Sequence, residues 1–447
     1  MLRVILPRCK EILRGGRQCH STITKADYSQ NCVRGGAVMS FGDGSHGALG
    51  LPSSSFGWGT DAYEPTLVPA LPPIITAIAA GHYHSLAITT EGHVWTWGRN
   101  HEFQLGRPPS SSNSGSDWWK EPGKVHGLDQ VRVIGASASG VVSAAIGEDG
   151  SLWVWGKSKR GQLGLGRGVI EAPLPCRVDS LAGEHIVKVS FGWGHALACT
   201  MDGKLFGWGY SADGRLGRIG GAAAAAARVE NPCSISSSLD VAERAVLEQM
   251  EKENSMPIVW EPTLVQESHG FQVSDIACGH DHSLVLFSGG RLISGGSNQN
   301  GQLGRQQVMP PYLDDMLQDV NMSARPLSIS SGHGHSLAVC RQTLPTTAGE
   351  DIGIFTWGSF CARDDDLPIL VKGLEGETPL SVSGGRVHSL ALTSQGQVWV
   401  WGYGNNGRLG LGSSLNEPYP TVLKYLQGFE VLQTTCGYDH SLVLVAN

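Results

Sequence analysis

The strongest constraint on the fold is a stretch of sequence that recurs along the chain. GHDHSLVLFSGGRLISGGSNQNGQLG, at residues 279–304, aligns without a gap with the stretches at 81–106, 192–217 and 385–410. In all four stretches a histidine lies 14 residues before a glycine, and that glycine ends a Trp-Gly pair in three of them. Because repeats of about 20–50 residues mark solenoids and propellers, this repeat decides the fold class.

Three further copies are imperfect or divided. Residues 135–164 carry Val142 in place of the histidine, and residues 332–358 carry extra residues between the histidine and Trp-Gly. The seventh copy is split, since its histidine half lies at 437–442 and its second half at 38–50. The histidine positions are spaced 58, 53, 87, 53, 53 and 52 residues apart. One unit is therefore close to 53 residues, and one unit holds a large insertion.

Each unit has the pattern of four β-strands. Alternating apolar residues bounded by glycine turns, as at 84–97, are typical of half-buried strands. Another strand precedes the histidine, as at 74–80, and a fourth follows the Gln-Leu-Gly loop, as at 64–68 and 261–265. Four strands in each of seven units predict an all-β fold, a seven-bladed β-propeller over 31–447. The split copy predicts that the N- and C-terminal strands pair to close the ring.

These repeats resemble the regulator of chromosome condensation family of seven-bladed propellers. The resemblance covers residues 36–447 and rests on a G-x-x-H-[SA]-L core in six units and Trp-Gly in five. The basic leader and the third-blade insertion resemble those of the plant mitochondrial member of the group that contains the ultraviolet-B photoreceptor and guanine-exchange-factor-like proteins. That resemblance implies support of organellar transcript processing, including intron splicing, and of respiratory-complex biogenesis. The founding member of the family is an exchange factor for a nuclear GTPase, so nucleotide exchange on a small GTPase is the alternative.

The turn histidines have the pattern of structural residues rather than of metal ligands. They occur one per blade, so a ring spreads them apart, whereas zinc needs three or four ligands at one ion. We expect each of them to be buried and to hydrogen-bond the backbone at a blade junction. Three additional histidines, His82, His280 and His333, could contact a ligand. Cys278 and Cys436 take the same place in their repeats, and this pattern indicates small buried residues.

No motif in the chain predicts catalysis or a cofactor. Residues 402–407 match G-x-G-x-x-G, but a dinucleotide fingerprint must open a helix, and here another strand follows. Gly156-Lys157-Ser158 resembles the end of a P-loop without the correct glycine spacing. Trp193 lies where the photoreceptor relative has its tryptophan motif, but the arginine of that motif is missing, so photoreception is not favoured. The sequence therefore predicts a protein that is not an enzyme, with no catalytic, cofactor-binding or metal-binding residues.

The first thirty residues differ in composition from the rest of the chain. Six lysines and arginines stand against two acidic residues, and the apolar residues fall at helical spacing. A basic amphipathic segment poor in acids is typical of a transit peptide, and arginine outweighs serine here. We therefore expect residues 1–30 to be a mitochondrial transit peptide and the protein to lie in the matrix, with a disordered basic tail as the alternative. No run of 18 apolar residues predicts a membrane span.

The charge of the body bears on its partners. Without the leader, 27 lysines and arginines face 38 aspartates and glutamates. An acidic propeller is poorly suited to phosphate backbones, which lysine and arginine bind, so direct nucleic-acid binding is not expected. Partners are therefore expected to be proteins. By resemblance these are mitochondrial proteins of RNA processing, and a small GTPase is the alternative.

Two loops are candidates for partner binding. The insertion at 218–260 in the third blade predicts a short amphipathic helix from about 240 to 253, with a capping box and charge pairs four residues apart. The loop at 108–120 ends in paired tryptophans, a residue type that anchors interfaces. Both loops follow a Gln-Leu-Gly type of turn, so both should lie on the face of the histidine turns, with packing on the propeller rim as the alternative. The candidate contact residues are Trp118, Trp119, Glu243, Arg244, Glu248 and Trp260.

Overall fold

A computed structural model describes residues 35–52, 61–108, 118–219, 256–306, 316–343, 350–359 and 366–447. Within these ranges the chain is all-β, with 28 strands and five 3-10 helices of three residues. The strands form sets of four antiparallel strands, and we call each set a blade. Five blades are separate sheets, and two share an eight-stranded sheet in which a pairing of Gly36 with Ile75 joins them. The predicted leader at 1–30 and the predicted helix at 240–253 lie outside the described residues.

The first strand of each blade lies along the central axis. These strands contact one another from blade to blade in a closed cycle, which is the arrangement of a β-propeller. Side chains cover their unpaired edges. The Gln433 amide, for example, exchanges hydrogen bonds of 3.0 and 2.9 Å with the backbone of Ile78 on the next blade. The first strands are β3 (Ile75–Ala80), β7 (Val133–Ala138), β11 (Ile186–Phe191), β15 (Val273–Cys278), β19 (Arg325–Ser331), β23 (Pro379–Gly384) and β27 (Val431–Cys436).

The second strands form the core of the molecule. They are buried on both faces, whereas the sequence predicted half-buried strands, because the neighbouring blade covers the face that would otherwise meet solvent. Their side chains are accordingly small or apolar, with Leu86 and Ala87 fully buried. The second strands are β4 (His84–Thr89), β8 (Val142–Gly147), β12 (His195–Thr200), β16 (His282–Phe287), β20 (His335–Thr343), β24 (His388–Thr393) and β28 (His440–Ala446).

The third strands carry the tryptophans of the Trp-Gly pairs. The indole N–H of Trp97 donates to the carbonyl oxygen of Ala48 in the preceding blade at 2.8 Å, so the tryptophan ties two blades together. Phe41, which is fully buried, takes this place in the last blade. The third strands are β5 (Val94–Gly98), β9 (Leu152–Lys157), β13 (Leu205–Tyr210), β17 (Leu292–Gly296), β21 (Glu350–Gly358), β25 (Val398–Gly402) and β1 (Gly36–Gly42).

The fourth strands form the outer edges of the blades. Three of them are two residues long, and the four longer ones each contain proline. Short strands and prolines both prevent another strand from pairing at an exposed edge. The fourth strands are β6 (Gly123–Lys124), β10 (Glu171–Arg177), β14 (Ile258–Leu264), β18 (Gln318–Asp319), β22 (Ile369–Leu370), β26 (Glu417–Val422) and β2 (Ala62–Leu67).

The two ends of the propeller pair with each other. β1 lies antiparallel to β28, from Gly36 opposite Ala446 to Gly42 opposite His440, as the split copy of the repeat predicts. The stretch that matches G-x-G-x-x-G ends in a 3-10 turn and leads into a loop, so it opens no α-helix. The 3-10 helices are Asp179–Leu181, Ala212–Gly214, Gln266–Ser268, Asn405–Gly407 and Lys424–Leu426.

Candidate functional site

The turn between the first and second strands holds a buried histidine in six blades. The ring Nε2 of each histidine lies 2.7–3.0 Å from a serine Oγ on the second strand of the following blade. The predicted burial is confirmed, whereas the predicted backbone partner is wrong, because the next blade places a hydroxyl there. The pairs are His84–Ser143, His195–Ser283, His282–Ser336, His335–Ser389, His388–Ser441 and His440–Ser85.

The hydroxyls of Ser85, Ser143, Ser336 and Ser441 determine the tautomer of the imidazoles that they face. Ser143 Oγ–H donates to the carbonyl oxygen of Gln104 at 2.8 Å. Because a hydroxyl has one proton, Nε2 of His84 must be the donor in the His84–Ser143 hydrogen bond. Burial lowers the pKa of His84 to about 3 and that of His335 to about 4, so these rings are neutral at pH 7. The turn histidines therefore link blades and are not available for acid–base chemistry.

The glycine three residues before each turn histidine gives the ring its space. A Cβ at Gly279 would lie 2.1 Å from Cε1 of His282 and 2.7 Å from the carbonyl oxygen of Gly332. Since real Cβ atoms essentially never approach other atoms this closely, the turn requires glycine wherever the histidine is present.

The second blade shows the converse arrangement. Val142 replaces the histidine, Ser139 replaces the glycine, and Ala196 on the third blade replaces the serine. Val142 and Ala196 are both fully buried. The three replacements depend on one another, because without an imidazole neither the space nor the hydroxyl partner is needed.

The loop after the third strand also reaches the turn between the first and second strands of the next blade. In the first blade, Gln104 donates to a backbone carbonyl of that turn at 3.1 Å. Where arginine replaces glutamine, the loop makes an ion pair instead. Arg215 lies 2.7 Å from Asp281, and Arg408 lies 2.5 Å from Asp439. Sequence reasoning missed these pairs, although the signal was present as Arg-Leu-Gly in one unit followed by Asp-His in the next.

The residues that follow the turn glycines come together at one end of the axis. They surround the opening of a cavity of about 110 Å³ that residues from every blade line. The three additional histidines that the sequence singled out meet here, with the ring centroids of His280 and His333 4.1 Å apart and those of His82 and His280 6.4 Å apart. We call this set the mouth ring, and its members are His82, Gly140, Trp193, His280, His333, Arg386 and Tyr438.

Stacked rings and guanidinium groups make the mouth ring a continuous surface on one side. Trp193 stacks on His280 with the centroids 5.0 Å apart and the planes at 18°. The guanidinium of Arg160, from the second blade, lies 3.3 Å from the centroid of the Trp193 ring. Such a cation–π contact fixes the position of the tryptophan, which is 38% exposed.

On the opposite side of the mouth ring, Tyr438 is the central contact. Its ring centroid lies 4.8 Å from that of His82 and 5.4 Å from that of His333. The guanidinium of Arg386 lies 5.0 Å from the Tyr438 centroid. Burial, followed by the charges of His280 and Arg386, lowers the pKa of His333 to about 4. Burial is therefore the main cause, and the positive neighbours add to it.

The carboxylates beneath the mouth ring are paired with cations. Asp281 accepts from Arg215, and its other oxygen lies 2.6 Å from Nδ1 of His280. Burial would raise the pKa of Asp281, but His280 and Arg215 together hold it well below its usual range. Asp439 lies between Arg408 and Arg386, with the latter at 3.4 Å.

The predicted contact tryptophans are half-buried on the rim. The carbonyl of Trp119 accepts the Gly98 N–H at 2.8 Å, and the Arg107 guanidinium lies 5.0 Å from the Trp118 ring. Trp260, in β14, packs against Gly161 of the preceding blade. All three tryptophans lie at the end of the blades that carries the histidine turns, and their binding of a partner stays a prediction. The other candidate residues, Glu243, Arg244 and Glu248, lie outside the described residues.

Within the described ranges, no three histidine, cysteine or acidic side chains are placed where they could share a metal ion. Cys278 and Cys436 are free, and burial raises the pKa of these thiols to about 11 and about 12. In the part of the chain that the structure covers, no helix has the length and apolar character to cross a membrane.

Comparison with known proteins places these features in a family. A family model described as an RCC1-like domain matches residues 37–443. The chain is 28% identical over 413 residues to the ultraviolet-B receptor UVR8 of Arabidopsis thaliana, covering 92% of this chain and 71% of the receptor. It is 30% identical over 369 residues to human Protein RCC2, covering 81% of this chain and 65% of that protein. It is also 30% identical over 320 residues to the mouse secretion-regulating guanine nucleotide exchange factor, covering 70% and 63% of the two chains.

Not every relative is of similar size, since the chain spans 7% of the human E3 ubiquitin-protein ligase HERC2, to which it is 28% identical over 383 residues. Among solved structures, Prp20p from Saccharomyces cerevisiae, described with its binding to Gsp1p and histones, has a TM-score of 0.72 at 23% identity over 96% of both chains. Human WBSCR16 has a TM-score of 0.71 at 20% identity, covering 93% of this chain and 100% of that one. Identities this low show the fold alone. Because the family model spans the repeats from the first strand to the last, the chain belongs to the RCC1-like family.

Proposed function

We propose that this protein is a non-enzymatic scaffold that docks a partner protein on the face formed by its histidine turns. The mouth ring carries the proposal, because it places tryptophan, tyrosine and arginine at one surface. These residue types dominate the binding energy of protein interfaces. The buried network of histidines, serines and ion pairs beneath the ring holds it rigidly, so docking costs little ordering entropy.

The size of the axial cavity favours a protein partner over a small molecule. Small-molecule pockets usually enclose about 300–1,000 Å³. The cavity under the mouth ring has about 110 Å³ and is lined largely by backbone at the turn glycines. It has room for a few atoms of an inserted side chain, and the remaining contact must come from the surface around it.

A binding experiment with matched variants tests the docking face. The tagged full chain and a Trp193→Ala/Tyr438→Ala variant are purified from isolated mitochondria, and the co-purifying proteins are identified. We expect the variant to lose the partners. Met201→Ala is the control, because Met201 is 66% exposed at the opposite end of the same blade as Trp193. Partners retained by a folded Trp193→Ala/Tyr438→Ala variant would contradict the docking face.

The proposal extends to a location in the mitochondrial matrix and to partners from organellar transcript processing, including intron splicing and respiratory-complex biogenesis. Its support is the basic, acid-poor composition of residues 1–30 together with the family resemblance. Fusion of residues 1–30 to a fluorescent reporter should direct it into isolated mitochondria. The same fusion with the leader arginines changed to glutamine should stay outside, and equal import of both would contradict the location.

Guanine-nucleotide exchange on a small GTPase is the second candidate. Similarity to the mouse secretion-regulating guanine nucleotide exchange factor favours it, although this chain spans 63% of that protein. Exchange activity predicts a GTPase that co-purifies best after its nucleotide is stripped away. It also predicts faster release of a fluorescent guanine nucleotide from that GTPase when the full chain is added. Recovery of RNA-processing proteins with no such GTPase would favour the scaffold.

A further inference from the structure

We propose that the mouth ring binds a carboxylate of an acidic segment in the partner protein, an inference that rests on the proposed docking face. The ring has three imidazoles, one guanidinium and one phenol around a narrow opening, and none of its seven members is acidic. A carboxylate is complementary to this set in charge, in hydrogen bonding and in size.

The charge balance at the opening favours an anion. Asp439 faces two guanidiniums, those of Arg408 at 2.5 Å and Arg386 at 3.4 Å. Asp281 faces the guanidinium of Arg215 and the imidazole of His280. Each carboxylate beneath the ring thus has two nitrogen partners, and Arg215 also pairs with Asp213 at 3.0 Å. In the mouth ring itself Arg386 supplies a guanidinium and no member is acidic, although the chain as a whole has a net charge of −7.

Polar atoms at the opening lack protein partners. His333 Nδ1 and Ser331 Oγ are buried atoms without a hydrogen bond, and both residues line the cavity. Buried polar atoms in folded proteins nearly always have partners, so these two atoms are available to a group that enters the cavity. A hydroxyl and an imidazole N–H both suit an anionic oxygen, and a hydrogen bond to a charged acceptor is about twice as strong as a neutral one.

A side-chain carboxylate fits the opening better than a nucleic acid does. The cavity of about 110 Å³ accepts a few atoms, and a carboxylate enters it at the end of a single side chain. A nucleic acid would bring further phosphates across a body in which acidic residues outnumber basic ones. The aromatic surface of Trp193 and Tyr438 beside the opening also suits the apolar parts of a peptide.

Peptide binding to the purified full chain tests the inference directly. A fluorescein-labelled octaglutamate peptide is titrated with the protein at low salt, and fluorescence anisotropy gives the Kd. An octalysine peptide is the charge-reversed probe. We expect octaglutamate to bind and Arg386→Gln to raise its Kd about fivefold, as for the loss of one charged contact. His333→Gln should raise the Kd about threefold, as for the loss of one neutral hydrogen bond. Octalysine should not bind at the same concentrations.

Arg132→Gln is the matched control. The Arg132 side chain is 53% exposed and that of Arg386 is 47% exposed, but Arg132 precedes β7 at the end of the blades opposite the histidine turns. Its substitution should change the Kd less than twofold. Thermal unfolding verifies that each variant is folded, and Arg386→Gln alone decides the outcome if His333→Gln is unstable.

Three outcomes would overturn the inference. If octaglutamate does not bind, the inference of an acidic partner segment is wrong. The proposed docking face is still supported in that case if the Trp193→Ala/Tyr438→Ala variant loses its partners. Equal weakening by Arg386→Gln and Arg132→Gln would show attraction to the whole surface and not to the mouth ring. Single-stranded RNA that binds more tightly than octaglutamate, with the same dependence on Arg386, would assign the site to a nucleic acid.

Discussion

At the scale of single residues, the histidine turn shows why glycine recurs where it does. We expect Gly279→Ala to lower the free energy of unfolding by about 1–3 kcal/mol, because the added methyl group overlaps the His282 ring and the Gly332 carbonyl. Urea denaturation measures this change. Gly289→Ala is the control, since a Cβ there meets no atom within 4 Å in the opposite turn of the same blade. Equal stability of the two variants would contradict this account of the turn.

At the scale of elements, each blade is joined to the next by side chains that must match across the junction. The junction of the second and third blades can therefore be converted to the arrangement of the others. Val142→His alone should lose about 1–3 kcal/mol, because the buried imidazole meets Ser139 and finds no hydroxyl at Ala196. Adding Ser139→Gly and Ala196→Ser should restore most of the stability in urea denaturation. If the triple variant is no more stable than Val142→His alone, the three positions do not depend on one another.

The ion-pair junctions lead to a different expectation. Arg408→Gln introduces the residue that other blades use, but it leaves Asp439 buried without its nearest cation. Because Arg386 still faces Asp439 at 3.4 Å, the loss should be that of one hydrogen bond to a charged group, about 1.5–3 kcal/mol. Arg408→Gln/Asp439→Asn should lose less, since the double change removes the charge as well. Chemical denaturation of the two variants compares them, and a more stable single variant would show that the pair is not what holds this junction.

At the scale of the whole molecule, the six turn histidines couple the stability of the propeller to pH. Burial holds their pKa values below the ordinary 6.5, to about 3 for His282 and about 4 for His440. Below pH 6.5 the histidines of the unfolded chain therefore take up protons that the same histidines in the folded propeller do not bind. The contribution of each neutral histidine to the free energy of unfolding is fully present above pH 6.5. It is lost as pH falls toward 4, by about 1.4 kcal/mol per pH unit for each histidine.

Urea denaturation at pH 7.5, 6.5 and 5.5 measures this dependence. We expect the free energy of unfolding to fall across the series. The variant Ser139→Gly/Val142→His/Ala196→Ser has a seventh turn histidine, so its stability should fall more steeply than that of the native chain. A free energy that stays constant from pH 7.5 to 5.5 would show that the histidines are not held neutral.

The sequence by itself determined the repeat unit, the order of the strands, the turn glycines, the burial of the histidines and the pairing of β1 with β28. Each of these features follows from the local alternation of apolar residues or from a fixed spacing along the chain, so the sequence alone is enough to predict it. The tertiary structure decided which atoms meet between blades. His440 forms a hydrogen bond with Ser85, 355 positions away in the sequence. His82 contacts His280 and Tyr438 in the mouth ring. Such contacts depend on how one blade lies against the next, and no periodicity along the chain records that arrangement.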